Sequence, residues 1–246
     1  MLYVATDFHG NYDIWKQIKE YLQEEDKLIY LGDAIDRGSR GFEILMEMLD
    51  DPRVIFIKGN HEDIMYKVYN SNEYDSRENL KHWHRNGGRA TQKNMNDLIN
   101  KGVITFEEAM SYIQKIEVMP TYVQCPIEGT DTVVYLTHAG FTPSHEFMQL
   151  STYDQEYKLI WDRKHLGDKW PQEYKNIFII HGHTPAQFMK TYAGTEVWSE
   201  TGLSSYADGH KINLDLGVPR TGVAVLYCIN TMSVQEYFVA TPDFQD

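Results

Sequence analysis

The chain is expected to fold as an α/β sandwich in which two β-sheets are flanked by outer helices. Three observations predict it. Short, unalternating apolar runs, of the kind buried on both faces of a parallel sheet, alternate with helical patterns through the first third. A polar, mostly helical stretch then interrupts the pattern. The remainder is rich in strand-like runs, so the order is βαβαβ, a helical piece and a β-rich half, which calls for stacked layers.

Taken in order, Leu2 to Ala5 reads as the first strand and runs into Thr6-Asp7-Phe8-His9-Gly10. Ile14, Ile18, Tyr21 and Leu22 recur at helical spacing, with Asp13 as the expected cap. Leu28 to Leu31 is the second strand and ends at Gly32-Asp33; Phe42, Leu45, Met48 and Leu49 mark a second helix, closed by Asp51-Pro52. Val54 to Ile57 is the third strand, ending at Gly59-Asn60-His61, and a third helix is expected from Asp63. Residues 70–120 read as a helical insertion covering one side of a site, within a single domain spanning 1–246. Thr132 to Thr137 then runs into His138-Ala139-Gly140, and Ile177 to Ile180 into His181-Gly182-His183-Thr184-Pro185. Further strands are expected near Lys211–Leu214, Val223–Ile229 and Ser233–Val239.

Composition removes several function classes. With 246 residues, 42% hydrophobic and 13% aromatic, the chain has ample material for a core, which argues against disorder. Its longest apolar run, Val223 to Ile229, is seven residues, far below the roughly 18 of a membrane span. Cys125 and Cys228 are the two cysteines, without a C-x-x-C, which excludes a disulfide framework and a cysteine zinc site. Polar Asp7 and His9 stand where a leader would be apolar, so a cytoplasmic location is expected. The net charge of −13 repels nucleic acid and anionic membranes, and neither is expected as a partner. An anionic substrate then needs a local positive site, which bound cations supply.

Chemistry concentrates in five clusters at strand ends: Asp7 to Gly10, Gly32 to Gly38, Gly59 to Glu62, His138 to Gly140, and His181 to Thr184. In such sheets, ligands bind beyond the carboxyl ends of the strands, so these loops should converge. Carboxylate, amide and imidazole donors without thiolate suit Mn, Fe or Zn. In an extended segment residues i and i+2 share a face, so Asp7 and His9 can face one ion. Asp33, at a central strand end, is expected to bridge to a second ion completed by Asn60, His138 and His183. Two metals about 3.5–4 Å apart would clamp a phosphoryl oxygen and activate water. A lone Asp-x-His is usually structural. The Gly-Asp-x-x-Asp-Arg-Gly string at 32–38 is not, since its chance appearance in a chain this long is about two in ten thousand. By the same alternation His181 shares a face with His183, and one of the two is expected to bind metal. His82, His84, His145, His165 and His210 lie outside the clusters and read as surface or packing histidines, and Met46, Met48 and Met65 as core.

At these residues the sequence resembles the phosphoprotein phosphatase family of the calcineurin-like metallophosphoesterases, whose motifs GDxHG, GDxxDRG, GNHE, HAG and GH are matched from Tyr3 to about Tyr227. It is most similar to the small bacterial and phage-type serine/threonine protein phosphatases. Like them it has an Asn-Gly-Gly after a His-Trp (Asn86-Gly87-Gly88 after His82-Trp83), an Ile160-Trp161-Asp162-Arg163, and a late Ile212, Asp215 and Gly217. The resemblance implies a four-layer sandwich with two divalent ions, manganese foremost, with iron or zinc as alternatives. One ion would be held by Asp7, His9 and Asp33, the other by Asp33, Asn60, His138 and His183. It also implies His61 as general acid oriented by Asp36, and Arg37, Arg163 and Arg77 as phosphate ligands. The reaction it implies is direct in-line attack of activated water on a phosphorylated protein side chain, serine or threonine foremost with dual specificity as an alternative, or on a small phosphoester, with no phosphoenzyme.

Departures are Thr6 for the usual Gly, Leu216 for the usual Thr, an expanded Lys164–Asn176 stretch and an unassigned Ser199–Gly209 segment. The nearest rival activity is symmetric diadenosine tetraphosphate hydrolysis, whose enzymes carry Gly-Asn-His-Asp where this chain has Glu62. A nuclease or cyclic-nucleotide phosphodiesterase is disfavoured by the acidic charge. A non-catalytic metal-binding interaction protein would be marked by a lost ligand or acid, and none is lost.

Overall fold

In a computed structural model, residues 1–189 and 203–244 are described. One sheet has the order β10-β9-β1-β2-β3 and the other β4-β5-β6-β8-β7. In the first, β1 (Leu2–Ala5), β2 (Lys27–Tyr30) and β3 (Val54–Phe56) are parallel, and β9 (Val223–Cys228) and β10 (Ser233–Val239) continue it antiparallel. In the second, β5 (Val133–Thr137), β6 (Ile177–His181) and β8 (Lys211–Asn213) are parallel, with antiparallel β4 (Tyr122–Pro126) and β7 (Ser204–Tyr206) at the edges.

Strand alternation builds the layers. Successive side chains point to opposite faces, so Val4 and Ile29 meet Leu136 and Ile180 in a core between the sheets. Their neighbours Tyr3, Ala5, Leu28 and Tyr30 face the other way, onto α1 (Tyr12–Tyr21) and α2 (Gly41–Asp50) through Ile14, Trp15, Ile18, Phe42 and Leu45. On the far side Ile179 packs on Leu159 and Ile160 of α8 (Thr152–Trp161). The result is the expected sandwich of two sheets inside two helical layers.

Several element boundaries differ from the sequence reading. Asn11, not Asp13, caps α1, its side chain accepting the Ile14 N–H, while Asp13 sits in the first turn where the helix dipole favours a carboxylate. α3 (Asn60–Asn70) begins three residues earlier than expected because the Glu62 side chain reaches back to the Gly59 N–H. Residues 70–120 contain α4 (Glu73–Arg85), α5 (Gly88–Asn100) and α6 (Phe106–Lys115). β4, β7 and α8 carried no readable pattern. Two of them are edge strands, and β7, Ser-Ser-Tyr, is too polar to announce itself. Of the Ser199–Gly209 segment, residues 203–209 are described, and they include β7.

A buried lysine ties the second sheet to its loops. Lys211 of β8 is 0% exposed, and its Nζ donates to Thr142 Oγ1 (2.7 Å), the His165 carbonyl (2.8 Å) and His165 Nδ1 (3.1 Å). The His165 Nε2–H in turn donates to the carbonyl of Ala139, next to His138 (2.7 Å). Burial pulls the Lys211 amine down to about 7, partly opposed by Asp168. An unfolded lysine titrates near 10.4, so between about pH 7 and 10 the unfolded chain binds more protons, and unfolding free energy rises with pH there. Thermal melts from pH 7 to 9.5 should show this rise in the wild type and a shallower one in Lys211→Met. Parallel curves would show that Lys211 keeps its proton in the fold.

Candidate active site

The loops that follow β1, β2, β3, β5 and β6 leave from the carboxyl ends of the parallel strands and carry Asp7 and His9, Asp33, Asn60, His138 and His183 to one place. The backbone is bent to do this. Of the nine non-glycine residues described with positive φ, six are Asp7, His9, Asp33, Asp36, Arg37 and His183. Such conformations cost on the order of 1–3 kcal/mol each and persist where surrounding structure enforces them. The bend also corrects one expectation. His181 and His183 do not share a face, because His183 adopts φ +67 once the strand ends. His181 instead points away, toward the Tyr206 hydroxyl (2.6 Å).

Second partners fix the ring orientations. His9 Nδ1 lies 2.9 Å from the Ile35 carbonyl, and His138 Nδ1 2.8 Å from the Leu31 carbonyl. A carbonyl only accepts, so each ring carries its proton on Nδ1 and turns the Nε2 lone pair inward. His9 Nε2 then faces Asp33 Oδ2 (3.6 Å) and Asp7 Oδ1 (3.8 Å). His138 Nε2 faces Asn60 Oδ1 (3.0 Å), His183 Nδ1 (3.1 Å) and Asp33 Oδ2 (3.4 Å). Asp7 Oδ1 and His183 Nε2 are buried and have no hydrogen-bond partner among the described residues.

So many electron-rich atoms facing one another require positive charge. Within the protein alone a proton on His138 supplies it. Burial opposes that charge, but Asp33, Asp7 and Glu62 outweigh burial and push the group up to about 9. Burial likewise opposes ionisation of Asp33, yet the charges of His138 and His61 hold its carboxyl well below the usual range. Burial first, then the charge of Asp33, pushes Asp7 up. A divalent cation meets the same demand. The donors fall into two groups, His9–Asp33–His61 and Asp33–His138–His183, with Asp33 in both. They are oxygens and imidazoles and fit Mn, Fe or Zn.

His61 of the first group has a second partner, its Nδ1 lying 2.6 Å from Asp36 Oδ2. Asp36 is fully buried and held in turn by Trp83 Nε1, 2.9 Å from both oxygens, and by Thr91 Oγ1 (2.8 Å). This explains the Trp83 and Asn86-Gly87-Gly88 pattern. A Cβ on Gly88 would lie 2.4 Å from the Trp83 ring, so glycine lets α5 start directly against the indole. Gly87, at φ +98, offers its carbonyl to the Arg37 N–H (3.1 Å). Arg37 Nη2 lies 3.1 Å from His61 Nε2. Arg163 donates through Nε to Thr184 Oγ1 (3.1 Å). Both arginines and His183 line a cleft of about 580 Å³.

Arg77 is not brought to this cleft. It lies exposed on α4, and six residues of helix place it about 120° around the axis from Trp83. Arg85, on the same helix, lines the cleft instead. Sequence reasoning missed Arg85 and Thr91. A lone threonine in a polar helix gives no signal, and an arginine at a helix C-terminus already has a bland explanation in the dipole.

Residues 2–226 match the profile of the family described as "Calcineurin-like phosphoesterase". The chain belongs to that family. Family and donor groups together make it a metal-dependent hydrolase of phosphoesters. Solved structures similar to this phosphoesterase include a "putative diadenosine tetraphosphatase", at 14% identity and TM-score 0.60, covering 97% of this chain and 93% of that one. A metallophosphoesterase from Sphaerobacter thermophilus has 14% identity and TM-score 0.51, with 99% and 89% covered. A protein serine/threonine phosphatase from Saccharomyces cerevisiae, with similarity to human phosphatase PP5, has 14% identity and TM-score 0.51, with 98% and 80% covered. At such identity the likeness is one of fold. No curated protein matches the sequence.

Two features of this phosphoesterase stand out against the motifs. The Thr6 hydroxyl donates to Asp7 Oδ2, which also accepts the His183 N–H (3.0 Å), so Oδ1 alone is left for the centre. Gly182 makes room for this, since a Cβ there would lie 2.1 Å from Asp7 Oδ2. Thr6→Val keeps the shape and removes the donor. Manganese titration should then find affinity about 10–100-fold weaker, the usual effect of losing a group that orients a ligand. Glu62, which separates the protein-phosphatase motif from its rival, touches no substrate surface. Its oxygens accept the N–H groups of Asp33 (2.8 Å), Ala34 (2.9 Å) and Gly59 (3.0 Å) and clamp the β2 and β3 loops together. Burial pushes this carboxyl up to about 7, against the three N–H groups that favour its ionised form.

Proposed function

We propose that this phosphoesterase is a protein phosphatase acting on phosphoserine and phosphothreonine. The reading rests on the His61–Asp36 pair. A seryl or threonyl alkoxide is a poor leaving group and needs a proton as the P–O bond breaks, whereas a departing phosphate is already a stable anion. Asp36, immobilised by Trp83 and Thr91, holds His61 Nδ1–H and aims Nε2 at the cleft. Arg37 occupies that nitrogen in the resting site. A phosphate that draws the Arg37 guanidinium onto its own oxygens frees Nε2 to take up a proton from solvent and pass it to the leaving oxygen as the P–O bond breaks. Arg163, which lines the same cleft, offers a second planar set of donors.

Asp7, His9 and Asp33 would hold one divalent ion and Asp33, Asn60, His138 and His183 another, with manganese favoured by the absence of thiolate. Such ions supply positive charge for a phosphoryl oxygen and for the attacking water. Among the described residues no serine, cysteine or aspartate stands as a dedicated nucleophile, which supports direct attack by water.

Hydrolysis of a phosphoserine peptide by manganese-loaded protein tests the reading, with diadenosine tetraphosphate as the competing substrate. A higher kcat/KM on the peptide is expected. A clear preference for the dinucleotide would favour the second reading, symmetric diadenosine tetraphosphate hydrolysis, which the four arginines of the cleft support.

A further inference from the structure

The cleft beyond His183 is out of keeping with the rest of the molecule. The chain carries 36 acidic and 23 basic residues. Yet among the described residues the charged side chains lining the 580 Å³ cleft are Arg37, Arg85, Arg163 and Arg220, with no aspartate or glutamate. Arg37 and Arg163 lie against the centre, through His61 and through Thr184. Arg85 and Arg220 do not. Both are exposed, Arg85 in the last turn of α4 and Arg220 in the short helix Val218–Thr221. A helix dipole accounts for one cation at the end of α4. It does not account for a four-residue helix carrying another into the same cleft, where the described lining residues include no carboxylate. Phe188 and Phe244, each 45% exposed, line the same space, and the Arg220 guanidinium lies 5.7 Å from the Phe244 ring.

We propose that Arg85 and Arg220 form a second anion subsite, so that this enzyme selects substrates carrying a further negative group beyond the scissile phosphate. This rests on the phosphoesterase reading of the centre. The shared chemistry is an oxyanion held by exposed guanidinium forks that line the cleft. It can be a carboxylate flanking the phosphoresidue of a peptide, or a distal phosphate of a dinucleoside polyphosphate. Long-range repulsion from the −13 surface makes such a local positive site necessary for an acidic substrate to dock.

The probe is a hydrolysis-resistant phosphonate analogue of a phosphoserine peptide, with two flanking glutamates or two flanking alanines, titrated calorimetrically into manganese-loaded protein. The glutamate peptide should bind about tenfold tighter to the wild type, the scale of one or two charge-assisted hydrogen bonds. The preference should shrink as salt rises. In the Arg85→Ala/Arg220→Ala double variant it should fall to about twofold or less. Equal binding of both peptides by the wild type, or an undiminished preference in the double variant, would overturn the subsite. Competition with diadenosine tetraphosphate names the anion's source. Displacement of the glutamate peptide that weakens in the double variant points to a polyphosphate chain, and displacement indifferent to the two substitutions points to the peptide carboxylate. Because the readout is binding, an enzyme that binds with the stated preference but turns over no phosphopeptide would sink the protein-phosphatase reading and leave the subsite standing.

Discussion

Replacing His61 by asparagine is expected to lower kcat on a phosphoserine peptide by about 10²–10⁴-fold, the usual contribution of a positioned general acid. The size of the effect should depend on the leaving group. With an aryl phosphate, whose phenolate departs without much help, the loss should be markedly smaller. KM should change little if, as proposed, Arg37 and Arg163 rather than the imidazole grip the phosphate. Asparagine can still bond to Asp36, so the pocket built by Trp83 and Thr91 stays filled. Equal losses on both substrates would mean that His61 does not deliver a proton to the leaving oxygen.

Asp33→Asn should be at least as damaging, with activity down by more than about 10³-fold, beyond the cost of a single oriented donor. Asp33 belongs to both donor groups, and its Oδ1 also accepts the His61 N–H (3.1 Å). The substitution therefore removes the negative charge that both halves of the centre share, while an amide oxygen can still accept the His61 N–H. Saturating manganese should raise the melting temperature of the wild type, because a ligand at about a hundred times its dissociation constant adds about 2.7 kcal/mol. The same addition should raise that of Asp33→Asn far less. An equal rise in both proteins would show that the metal binds elsewhere.

Much of this site was legible because its donors follow hydrophobic strands, with a glycine next to His9, Asp33, Asn60 and His183 and within three residues of Asp7 and His138. Asp7, Asp33, Asn60 and His138 could be placed on one rim from strand ends alone. The partnerships were not legible, since they join residues far apart in the chain, such as Asp7 and His183. His181 misled because strand alternation was carried past the end of β6, where the backbone turns left-handed. Arg77 misled because its distance from Trp83 was read along the chain rather than around a helix. Thr91 and Thr6 act through single hydroxyls, and nothing in the residue type distinguishes a hydroxyl that steers a carboxylate from one that meets water. Edge strands β4 and β7 escaped notice because a half-exposed edge needs no apolar run.

Two cations meeting at Asp33 would be the heart of the proposed chemistry. Calorimetric titration of chelator-stripped protein with manganese measures this directly. Two ions should be taken up per chain by the wild type, and fewer by Asp33→Asn. One ion or none in the wild type, with manganese, iron and zinc each tried, would contradict it.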